Sequence, residues 1–92
     1  MESPAGVGFS YSDDGTYVTS DDQTASDNYI AVGRFFEKFP EYAANELFIT
    51  GESYAGIYVP MLSYLIVNGS NDYNFQVGRY QKLSIPNLHF LI

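Results

Sequence analysis

A serine hydroxyl is a weak nucleophile until a base takes its proton and the backbone presents it openly. Ser53 stands in a stretch suited to the presenting, Ile49-Thr50-Gly51-Glu52-Ser53-Tyr54-Ala55-Gly56. The apolar run Leu47-Phe48-Ile49 leads into it, and a long apolar segment, Ile57 to Val67, leads out. Strand, sharp turn with a serine at its apex, then helix is the layout of a nucleophile elbow. Such a turn needs very small residues around the serine, because a Cβ collides where strand and helix pass closely. Gly51, Ala55 and Gly56 supply that room. The backbone N–H of Tyr54 falls where the following helix begins; amides there lack intrahelical acceptors and are free to hold an oxyanion. The common spacing is G-x-S-x-G; here the fifth position is Ala55, and Gly56 follows one residue later.

The elements that would carry this turn are legible around it. Ser20-Asp21-Asp22-Gln23 fits a capping box, with acids placed at the positive end of a helix. Ala25, Tyr29, Val32 and Phe36 recur at i, i+4, i+7 and i+11, one apolar stripe that Phe35 and Phe39 widen, and Pro40 stops the pattern. The spacing predicts a helix from about Asp21 to Phe39 whose aromatics are core. Leu47 to Thr50 is predicted as a short buried strand of a parallel sheet. Ile57 to Asn68 is predicted as a second helix, which tolerates Pro60 in its first two turns and ends at Asn68-Gly69. Ahead of these, Val7, Phe9 and Tyr11 alternate with Gly8 and Ser10, as in a short strand or extended turn, and Gly6 and Gly8 suggest positive φ or close backbone approach. Asp13-Asp14-Gly15 is a turn. Strand, helix, strand, elbow, helix is a βαβα unit and implies α/β architecture.

Composition narrows the partners. The 92 residues carry a formal charge of −7 and no cysteine. That balance excludes a nucleic-acid surface and an anionic membrane surface, both of which need basic patches. Absence of cysteine excludes disulfides and thiolate metal sites. No apolar run approaches a membrane span, and Met1-Glu2-Ser3-Pro4 is not a signal peptide. The N-terminal glycines lack the lysine of a phosphate cradle. Ten of the eleven acidic residues lie at or before Glu52, and residues 77–92 hold Arg79 and Lys82 with no acid.

Three blocks, in order and spacing, resemble one family. Glu-Ser-Pro-Ala-Gly-Val-Gly-Phe-Ser-Tyr-Ser at 2–12, Phe-Phe-x-x-Phe-Pro-Glu-Tyr at 35–42, and Leu-Phe-Ile-Thr-Gly-Glu-Ser-Tyr-Ala-Gly-Ile-Tyr-Val-Pro at 47–60 are similar to the serine carboxypeptidases, above all the cathepsin A-like branch. The resemblance spans about Glu2 to Phe75. It implies a partial α/β-hydrolase fold, an enzyme that removes C-terminal residues from peptides and proteins, and no cofactor or metal. It implies roles as well. Ser53 attacks the scissile carbonyl to form an acyl-enzyme, and the Tyr54 N–H donates to the oxyanion. Glu52 binds the substrate's terminal carboxylate, sharing a proton with a second carboxyl outside this chain. A lysosomal, vacuolar or secreted location follows from the same resemblance. In that setting the sequon Asn68-Gly69-Ser70 becomes a candidate glycosylation site at Asn68.

The triad is incomplete in these residues. A serine nucleophile needs a base and an orienting acid, which follow it in this fold in the order acid, then histidine. Only Asp72 and His89 are available downstream, and 39 residues follow Ser53. Each partner sits after a crossover of roughly thirty residues, so Asp72 and His89 have no room for those roles. The family's upstream oxyanion loop is likewise expected before Glu2. The expectation is therefore a central hydrolase segment, 1–76, inactive alone and completed by the rest of a hydrolase domain, with a divergent tail at 77–92. Valine codons begin with the two bases of a splice donor, so the tail from Val77 reads either as translated intron or as the tail of a genuine isoform. Two other functions use the same residues: a carboxypeptidase-like acyltransferase, which passes the acyl group to an alcohol, and a non-catalytic truncated product.

Overall fold

The computed structural model describes residues 1–69, 82–84 and 89–91. Two helices and the segment that crosses them form its core. Helix α1 spans Asp21–Lys38, capped by the Ser20 side chain, which accepts from the Gln23 N–H at 3.2 Å. Asp21 and Asp22 occupy its first turn and Lys38 its last, the arrangement the helix dipole favours. A single 3₁₀ turn, Pro40–Tyr42, follows. Helix α2 spans Ala55–Asn68 and runs through Pro60. It ends at Gly69, whose N–H donates to the Leu65 carbonyl at 2.8 Å.

The core lies between the helices. Leu62 and Ile66 of α2 are buried, with Ile66 only 2% exposed. Tyr29, Val32 and Phe36 of α1 pack against them, and Ala25 is buried on the same helix. The stripe read from the spacing is thus the contact face of α1. The Tyr29 hydroxyl extends the contact by donating to the Gly69 carbonyl at 2.8 Å, tying α1 to the end of α2.

Phe35 and Phe39 do not widen that face. Both are exposed, because a helix presents only one stripe to one neighbour and these positions point away from α2. They gather with Tyr42 instead: ring centroids lie 5.1 Å apart for Phe35 and Phe39 and 6.1 Å apart for Phe35 and Tyr42, the latter stacked at 26°.

Neither expected strand pairs among the described residues. Leu47 and Ile49 pack against the Leu62–Ile66 cluster while Phe48 and Thr50 are exposed. The period-2 alternation of a strand is present, but no described strand lies beside it, and a strand exists only as part of a ladder. At the N-terminus, 2–10 is a compact turn rather than a strand. The Phe9 N–H donates to the Glu2 carboxylate at 2.6 Å, the Ser10 hydroxyl to the Glu2 carbonyl at 2.6 Å, and the Gly6 N–H to the Ser10 carbonyl at 2.9 Å. Gly8 has φ +57°, and a Cβ there would lie 2.2 Å from the Glu2 carboxyl carbon. The chain reverses on itself, so Phe9 is left 94% exposed. The Asp13-Asp14-Gly15 turn forms, with the Gly15 N–H donating to the Ser12 carbonyl at 3.1 Å.

The one sheet among the described residues was not anticipated. Strands β1, Lys82–Ser84, and β2, His89–Leu91, pair antiparallel with Leu83 opposite Phe90. The parallel sheet of the expected α/β class is not among the described residues.

Candidate active site

The turn before α2 is built by its small residues. A Cβ at Gly51 would fall 2.2 Å from the Ala55 Cβ and 3.2 Å from Val59 Cγ2. Contacts that short do not occur, so the incoming chain passes α2 at a distance only glycine permits. Three successive i to i+3 bonds then tighten the entry into the helix. Ala55 N–H donates to the Glu52 carbonyl at 3.1 Å, Gly56 N–H to the Ser53 carbonyl at 3.0 Å, and Ile57 N–H to the Tyr54 carbonyl at 2.9 Å.

Ser53 sits at the apex with φ +57°, the single non-glycine residue in the left-handed region among the described residues. An L-residue there is strained by roughly 1–2 kcal/mol. Such strain persists only where the surroundings hold it. Glu52, Ser53 and Tyr54 are all exposed. Among the described residues, neither the Ser53 hydroxyl nor the Tyr54 backbone N–H has a hydrogen-bond partner. A hydroxyl raised from the surface and an uncommitted amide beside it can serve nucleophilic attack and charge stabilisation respectively.

The Tyr54 side chain is committed. Its hydroxyl lies 3.0 Å from each oxygen of the Asp21 carboxylate, and its ring meets Tyr58 edge-on at 5.0 Å. The Asp21 carboxylate stabilises the phenol over the phenolate and so raises the Tyr54 pKa above its ordinary value. Asp21 is the residue whose part in this site the sequence does not announce. An acid in a first helical turn reads as a dipole partner, and only the 33-residue approach in space brings it to the elbow.

The remaining predicted residues divide. Glu52 has no carboxyl partner among the described residues. Asn68 is the exposed last residue of α2, while Ser70 of its sequon lies outside the described residues. Asp72 also lies outside them, and His89 is placed by its backbone in β2, opposite Ser84. A groove of 420 Å³ adjoins the turn, lined by Gly51, Ala55 and Val59 with Leu47, Ile49 and Val32; neither Ser53 nor Glu52 lines it. No three His, Asp or Glu side chains come together to hold a metal among the described residues. No helix there is long and apolar enough to cross a membrane.

Comparison with known proteins gives the family of the chain. The sequence pattern of the family described as serine carboxypeptidase matches residues 1–86. The mouse (Mus musculus) lysosomal protective protein is 63% identical over 67 residues, which make up 73% of this chain and 14% of that protein. A Caenorhabditis elegans serine carboxypeptidase, ctsa-4.1, is 48% identical over 77 residues, 83% of this chain and 16% of its own length. Serine carboxypeptidase-like 21 of Arabidopsis thaliana is 44% identical over 88 residues, 95% of this chain and 18% of its own. The chain spans about a sixth of the length of the curated relatives it matches. With most of its length matched by the family pattern and by these relatives, the chain belongs to the serine carboxypeptidase family, whose fold is that of the α/β hydrolases.

Proposed function

We propose that this chain carries the nucleophile of a serine carboxypeptidase and that Ser53 is that nucleophile. The observation that carries the reading is the backbone of Ser53: φ +57° at the exposed apex of a turn, entered by a glycine pressed against the next helix. Strain of this kind in an α/β-hydrolase relative marks the reacting serine.

In the reaction, Ser53 Oγ attacks the carbonyl carbon of the last peptide bond. Its proton passes to a base and from there to the departing amine of the C-terminal residue. The carbonyl oxygen, negative in the tetrahedral intermediate, accepts from the Tyr54 N–H. Collapse breaks the C–N bond and leaves an ester on Ser53. Water, deprotonated by the same base, attacks that ester and releases the shortened peptide. Glu52, adjacent to the nucleophile and exposed, reads the terminal carboxylate by donating a shared proton to it. The base and its orienting acid come from outside these 92 residues, in keeping with a Ser53 hydroxyl that has no hydrogen-bond partner among the described residues. The names of the relatives, a lysosomal protective protein and a serine carboxypeptidase, support peptide C-termini as substrates and a lysosomal location, with a vacuole or secretion as the equivalent setting, where Asn68 is open to glycosylation.

A fluorophosphonate probe followed by mass spectrometry tests this. The expected result is no label on the 92-residue chain and a label on Ser53 in a longer product that carries it, lost in Ser53→Ala. A longer product that cleaves peptides but takes the label elsewhere overturns the assignment of Ser53. Label on the short chain, lost in Ser53→Ala, overturns the claim that the base lies outside it.

A further inference from the structure

We infer that Asp21 is a positioning residue for the serine turn: from the first turn of α1 its carboxylate holds the Tyr54 hydroxyl, and through that side chain the backbone that sets Ser53 and the Tyr54 N–H. This rests on Ser53 as the nucleophile. The turn has two sides with different support. On the inner side the Gly51–Ala55 contact fixes how closely the chain passes α2. On the outer side Glu52, Ser53 and Tyr54 are exposed. A left-handed serine still has to be held there. Among the described residues, the Tyr54 hydroxyl makes the one side-chain hydrogen bond from these three residues to another element, at 3.0 Å from both Asp21 oxygens.

The phenol has a single proton, which it shares between the two oxygens. A hydrogen bond to an ionised carboxylate is stronger than one between neutral groups. Asp21 lies in the first turn of α1, directly after the Ser20 cap, so the acceptor is carried on a capped helix. Tyr58 holds the Tyr54 ring from the α2 side, edge-on at 66°. Tyr54 is therefore gripped at both ends, by α1 through oxygen and by α2 through carbon. Its backbone N–H lies one residue from the strained φ of Ser53, so a grip on its side chain limits rotation of the whole apex. Asp21 does not touch the reacting atoms; it acts through Tyr54.

The test compares wild type with Asp21→Ala, Asp21→Asn, Tyr54→Phe and the double variant Asp21→Ala/Tyr54→Phe. It uses the 92-residue chain and any longer product that carries it. Amide exchange of Ala55 and Gly56, which donate to the Glu52 and Ser53 carbonyls, rises about tenfold in Asp21→Ala and in Tyr54→Phe when read by NMR, and no further in the double variant. Asp21→Asn, which keeps an acceptor oxygen, recovers part of the protection, and in it the Tyr54 phenol titrates lower than in wild type. In a product that takes the fluorophosphonate, the maximal acylation rate of Ser53 falls while the probe's binding constant holds. Unchanged exchange, additive effects in the double variant, or a wild-type chain whose Ala55 and Gly56 amides exchange as in an unfolded peptide each overturn the proposal. Absence of label from Ser53 in every product, with the exchange pattern intact, removes the nucleophile and leaves the Asp21–Tyr54 tie standing.

Discussion

Helices α1 and α2 and the segment Leu47–Thr50 bury apolar side chains in one cluster, yet they satisfy their backbones by opposite means. The helices close their hydrogen bonds within themselves and use caps for the remainder, Ser20 at the start of α1 and Gly69 at the end of α2. Among the described residues, no backbone group from Glu46 to Gly51 is hydrogen-bonded to another backbone group. Leu47 and Ile49 still reach Leu62 and Ile66. Burial of side chains therefore does not require the ladder, and the ladder does not follow from burial. Side-chain packing positions the segment, while its outward side, Phe48 and Thr50, is left open. The serine turn stands at the junction of these two regimes, entered from the unladdered segment and left through a helix.

That contrast can be broken from either side. The largest effect belongs to the shared cluster: Ile66→Ala, at a fully buried position, costs about 3 kcal/mol in denaturant unfolding and loosens both regimes together. Loss of helicity with Leu47–Thr50 unaffected would show that the two do not share one core. Next is the junction. Gly51→Ala forces the chain away from Ala55 and costs about 2 kcal/mol, and Ala55→Gly in the same chain restores much of it. Lack of rescue in the double variant would mean that the contact does not define the turn. Smaller still is the cap, where Ser20→Ala costs about 1 kcal/mol, read as a lowered thermal midpoint.

The smallest effect is local and depends on pH. Hydrogen bonds from the Ser12 hydroxyl and the Thr16 N–H hold the Asp14 carboxyl below its ordinary value of 3.8. A folded pKa that is lowered stabilises the turn above the unfolded value and ceases to do so as pH falls through the folded one. Protection of the Thr16 amide is therefore expected to hold above pH 3.8 and to be lost only as pH falls further, through the lowered folded value, with α1 and α2 unaffected.

How far the chain could be read in advance follows the same division. The box Ser20–Gln23, the stripe Ala25–Tyr29–Val32–Phe36 and the stop at Pro40 specify α1, since each acts within a turn or two of itself. Phe35 and Phe39 carry the same apolar signal and were expected inside; their exposure depends on which neighbour α1 meets. Leu47–Thr50 and Val7–Tyr11 carry strand signals whose meaning depends on a partner elsewhere. The β1–β2 pair went unforeseen in a stretch read as divergent from the family, although the family pattern extends through residue 86. Gly51, Ser53 and Ala55 were legible as a constellation because the turn that joins them is local.

Helix positions, caps and the residue types of the serine turn are properties of short stretches of chain, written in spacings of three to five residues. Three things are not. They are the left-handed φ of Ser53, the approach of Gly51 to Ala55, and the tie from Tyr54 to an aspartate 33 residues earlier. The tie requires α1 to lie against α2, and the pass of Gly51 along α2 goes with the seating of Leu47 and Ile49 on the Leu62–Ile66 cluster. Contacts between residues far apart in the chain cost loop entropy before they return any energy, so they form only where a packed core already brings the partners together. Here that core is the Leu62–Ile66 cluster, and the serine turn takes its geometry from it.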